Sequence, residues 1–125
     1  MMDQPSMQEL VVAVRDFLEQ RAMPELKGHT AFHARVAANA LSIVARELEL
    51  AGVSGEAERA RLASLLGHDG ELIVLNRELC AAIRAGKIGL DTPGLAEHLT
   101  VTTRDKVGID QPNYGGLKRL LADGA

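Results

Sequence analysis

The stretch LKGHTAFHARVAANALSIVARELEL, Leu26 to Leu50, decides the fold. It contains no proline, and four of its alanines stand close together at 34, 37, 38 and 40. Alanine is the strongest helix former, so the run predicts a helix from about His29 to Leu50, with Gly52 as its stop. At 100° per residue Phe32, Val36, Ala37, Ala40, Ile43, Val44 and Leu48 make one broad apolar arc. Ala31, Ala34, Arg35, Ala38, Ser42, Ala45, Arg46 and Glu49 take the other side. His29, His33 and Glu47 fall inside the arc, and Asn39 lies at its flank. Taken as the packing face, this arc carries polar side chains that need partners, because an unpaired buried polar group costs roughly 1–3 kcal/mol. The small alanines would let another helix approach closely.

Further helices follow on either side. Ser6 with Glu9 forms a capping box, and Leu10, Val11, Val14, Phe17 and Leu18 continue at helical spacing until Pro24, which is expected to end the segment. Ser54 is expected to cap a third helix from about Gly55 to Leu66, terminated by Gly67. In GHDGE, Gly67 to Glu71, Asp69 is the candidate cap of a fourth helix, which places Leu72, Leu75, Leu79 and Ile83 on one face and stops at Gly86. The fifth opens at DTPG, with Thr92 as cap and Pro93 at the first helical position, and runs to about Val107 or Ile109. Its β-branched run LTVTTRDKV leaves a short strand as the alternative. These elements predict an all-α fold, a small antiparallel bundle of about five helices. Residues 1–114 form its single domain, and 115–125 a flexible or short helical tail beginning at Gly115-Gly116.

Composition agrees. The 125 residues are 46% apolar and only 2% aromatic, so the core is aliphatic. A net charge of −3 without a Lys/Arg block argues against nucleic acid. No apolar run approaches the roughly 20 residues that span a bilayer. The N-terminus has no signal-peptide pattern, and Cys80 is the lone cysteine, so the expected location is the reducing cytoplasm. Cys80, beside the apolar row of the fourth helix, is expected to be buried and inert.

The histidine pair is the first candidate site. His29 and His33 at i and i+4 share a helix face, as metal ligands do, but Thr30, Ala31 and Phe32 between them supply no glutamate base. Glu47 lies about 21 Å further along the axis at 1.5 Å per residue and cannot complete the site. His68 and Asp69 could join only if folding brought them close. The alternatives are histidines that pack and hydrogen-bond within the bundle, or a contact for a partner or small anion. Glu47, a carboxylate in an apolar arc, wants a cation, for which Arg104 or Lys106 is expected. TTRDKVGIDQPNY, Thr102 to Tyr114, offers Arg104 and Tyr114 as interface anchors or, more plainly, a helix end and a turn. Phosphate loops and serine nucleophile elbows are absent, and no cofactor is indicated.

AFHARVAANALSIVARELEL (Ala31 to Leu50), preceded by PELKG and followed by LNRELCAAIRAG and TTRDKVGIDQPNY, resembles a bacterial domain family of uncharacterised function. The resemblance runs from the first helix to Tyr114, and FHARVAANAL is its most specific part. It implies genes lying near acyl-CoA dehydrogenases and aminoglycoside-phosphotransferase-like kinases, and hence an accessory role in acyl-CoA or related catabolism. It supplies no catalytic residues. Two functions stand side by side. One is a non-enzymatic accessory protein bound to such a kinase or dehydrogenase. The other is a small ligand- or metal-binding bundle, or an enzyme, centred on His29, His33 and Asn39. Homodimerisation through an uncovered apolar stripe is compatible with either.

Overall fold

The computed structural model of the chain describes residues 3–124, and among these there are five α-helices and no strand. The fold is all-α. Helix α1, Met7–Phe17, starts at the Ser6 box: the Ser6 hydroxyl accepts from Glu9 N, and the Glu9 carboxylate accepts from Ser6 N at 2.7 Å. Two otherwise unpaired helix-end donors are thereby satisfied. The helical path then widens into a π-turn, Leu18–Ala22, and tightens into a 3₁₀ turn, Met23–Glu25. Pro24 therefore does not end the segment at Met23. It sits at the start of a new turn, where its missing N–H costs nothing.

Helix α2 runs unbroken from Gly28 to Leu66. The expected break at Gly52, and a separate helix capped by Ser54, do not occur. A glycine in a helix interior costs about 0.5–1 kcal/mol relative to alanine, which weakens a helix without ending it. Helix α3 spans Leu72–Arg84, α4 Leu95–Asp110 and α5 Gly115–Ala122. The β-branched run of residues 99–107 is helix, not strand. Two expected caps are reassigned. Asp69 accepts from Gly70 N and pairs with Arg59, while Glu71 precedes α3 without a side-chain cap. The Thr92 hydroxyl is taken by Gly89 N at 3.0 Å, and Gly94, at φ +94°, is the residue that opens α4.

The described chain divides into two compact units, one up to Ala51 and one from Gly52 onward. In the first, α1 has no buried residue, and the buried positions of α2 are Ala34, Ala38 and Ala45. The second has an aliphatic core: Leu62 from α2, Leu75 and Leu79 from α3, and Leu95 at the start of α4, with Leu65, Leu66, Leu72 and Ile88 packed around them. Each fully buried leucine contributes roughly 1.5–3 kcal/mol.

Candidate functional site

Within the first unit the faces of α2 are the reverse of the expectation. The buried row is the alanine side, Ala34, Ala38 and Ala45, whose small side chains favour close packing. The broad apolar arc faces outward: Phe32 is 57% exposed, Val36 49%, Val44 42% and Leu48 40%. His29, His33, Asn39 and Glu47 are exposed as well. The histidines are thus not polar groups caught in a helix contact. The Phe32 ring meets the His33 imidazole edge-on, with centroids 5.5 Å apart and planes at 71°. Glu47 needs no buried counter-ion, and its two expected partners are engaged elsewhere. Arg104 pairs with Asp105 at 2.9 Å, and Lys106 reaches Glu58 at 3.7 Å.

The second unit holds a buried carboxylate that the sequence did not single out. Glu58, on α2, is 7% exposed. It accepts from Asn76 Nδ2 of α3 at 3.2 Å and lies beside Lys106 of α4. One helical turn along α2, Arg61 donates from Nη2 to the Thr102 hydroxyl at 3.1 Å. His98, 2% exposed, completes the cluster. His98, Thr102 and Lys106 recur every four residues along one face of α4. Burial, then the Arg61 charge, push the His98 imidazole below its ordinary value; Glu58 opposes them, and Lys106 adds a smaller push downward. His98 Nδ1 and Arg61 Nε have no hydrogen-bond partner among the described residues.

The structure brings two candidates together. Arg104 and Tyr114 line one groove between α4 and α5, of about 270 Å³, with Val107, Leu117 and Leu120. Tyr114 is 56% exposed and its ring lies against Gly116, where a Cβ would come within 2.5 Å of it. Glycine at 116 is thus there for the close approach of the ring, not for flexibility. Cys80, expected to be buried, is exposed on α3, in a shallow groove with Ile73, Arg77 and Arg84. His68, in the loop before α3, pairs with Glu78 of α3 at 2.6 Å. Among the described residues no group of three or more His, Cys, Asp or Glu could hold a metal ion, and no helix is long and apolar enough to cross a membrane.

The fold and sites define an all-α protein with an outward-facing apolar helix arc in one unit and a buried ionic cluster in the other. Residues 24–114 match the model of a family described as a domain of unknown function, DUF6285, and the chain belongs to that family. No curated protein and no solved structure matches it.

Proposed function

We propose that this chain is a cytoplasmic, non-catalytic accessory protein that binds a larger enzyme through its first unit. The observation that carries this reading is α1. It buries no residue, yet Met7, Leu10, Val14 and Phe17 make an apolar stripe exposed by 64%, 41%, 51% and 59%. Their spacing, i, i+3, i+7 and i+10, is that of an amphipathic helix laid into a partner's hydrophobic groove. A run of exposed large apolar side chains on one face marks an interaction surface. The family resemblance drawn from Ala31 to Leu50 puts an aminoglycoside-phosphotransferase-like kinase or an acyl-CoA dehydrogenase first among partners. A ligand site or enzyme centred on His29 and His33 would want those imidazoles turned into an enclosed space, and their exposure favours the accessory reading.

The test is titration of the chain into a purified enzyme of each class from the same genome, followed by calorimetry. A saturable complex with one of them is expected, and it should be lost in Leu10→Glu/Phe17→Glu with helix content unchanged. No complex with either enzyme, or a complex indifferent to the double substitution, overturns the reading.

A further inference from the structure

The outward arc of α2 is symmetric about its own midpoint. Phe32, Val36, Ala40, Val44 and Leu48 recur every four residues, and their sizes run large, branched, small, branched, large. The polar residues in the arc keep the same centre: His33 stands seven residues before Ala40 and Glu47 seven after it. Seven residues are about two helical turns, so all three lie near one line along the helix.

We propose that this face of α2 binds a second copy of the chain, antiparallel, about a two-fold axis at Ala40. The occupant follows from complementarity. In a two-fold contact the same patch must fit itself. Here Val36 of each copy meets Ile43 of the other, Ala37 meets Val44, Ala40 meets its own counterpart, and Phe32 and Leu48 flank the contact. The seven-residue line His33, Ala40, Glu47 keeps the two helices close to antiparallel, and a small residue at the crossing lets the axes come close. His33 then faces Glu47 twice, once on each side of the axis. That pairing sets an imidazole against the carboxylate in the apolar arc. A parallel pairing would instead set Glu47 against Glu47. The inference shares with the accessory reading the premise that the first unit works by assembly. It uses α2 and not α1, so the two fail separately.

Sedimentation equilibrium of the full chain across the micromolar range is the test, with far-UV circular dichroism as the check on folding. Wild type should approach twice 13.4 kDa as concentration rises. Val36→Asp should stay monomeric. His33→Glu should weaken association about tenfold or more, by setting two carboxylates face to face. Adding Glu47→Lys to it should restore association. With Cys80→Ser as background, Ala40→Cys should form a disulfide-linked dimer under mild oxidation, and Arg35→Cys, exposed on another side of the same helix, should not. Leu10→Glu/Phe17→Glu should leave the dimer intact. A wild-type chain that stays monomeric throughout, a double charge variant no better than His33→Glu, equal cross-linking at 35 and 40, or a dimer lost only through α1 would each overturn the proposal.

Discussion

The two halves of α2 solve opposite problems with the same backbone. From Gly28 to Ala51 the helix turns Ala34, Ala38 and Ala45 inward and its large apolar side chains outward. From Gly52 to Leu66 it buries Leu62 completely and draws Glu58 in with it, while Arg61 stays half-buried. The second half is built to hold its own unit together. The first half carries a surface whose apolar area is left for another molecule. Hydrophobic residues on a helix thus report a face to be covered, and the chain that covers it need not be the same one.

Substitutions at matched apolar positions should expose this contrast most strongly. Leu62→Ala leaves a cavity in the second unit and should cost about 2–5 kcal/mol in chemical denaturation. Val44→Ala, on the outward arc, should stay within about 0.5 kcal/mol for the dilute chain. Equal losses at the two sites would erase the distinction between the halves.

Acid should act through the second unit, where both shifted histidines lie. Buried His98 favours its neutral form, so between its lowered value and the ordinary 6.5 the folded chain binds fewer protons than the unfolded one. Its contribution is fully present above about 6.5 and is lost as pH falls through the folded value. His68 runs the other way. The Asp69 carbonyl and the Glu78 carboxylate raise it, so its contribution is present below 6.5 and lost as pH rises through the raised value. The two oppose each other, so the His98 part is read by comparing denaturation midpoints from pH 7.5 down to 5 in the wild type and in a variant. They should fall less, or rise slightly, in His98→Leu, which also removes an unpaired buried nitrogen. An unchanged slope in that variant would mean that the buried cluster does not carry the acid response.

The smallest effect tests the continuity of α2. A Cβ at Gly52 would meet nothing within 4 Å, and Gly52 lies inside the helix. Gly52→Ala should raise stability by about 0.5–1 kcal/mol. A loss would show that the helix needs glycine there after all.

Features set by neighbours in sequence were legible. The Ser6–Glu9 box and the end of α3 before Gly86 follow from local hydrogen bonding and propensity. A helical wheel shows which residues share a face but not which face finds a cover, so Phe32 and Val44 read as core and the alanine row did not. Gly52 and Ser54 looked like a stop and a cap because propensities weigh single residues, and a long helix absorbs a cost of that size. Glu47 is not the buried carboxylate; Lys106 meets Glu58 instead. Its burial depends on α3 and α4 arriving from 18 and more positions away, which no local pattern encodes. The spacing His98, Thr102, Lys106 was the one available signal. Thr92 was misplaced because its hydroxyl had a nearer donor, Gly89 N.

The seat of Tyr114 on Gly116 makes this chain convenient for spectroscopy. The sequence has one tyrosine and no tryptophan. Its ultraviolet emission therefore arises at a single point, the mouth of the groove between α4 and α5. A quencher, or a partner that reaches that groove, changes the whole signal, and no engineered label is required.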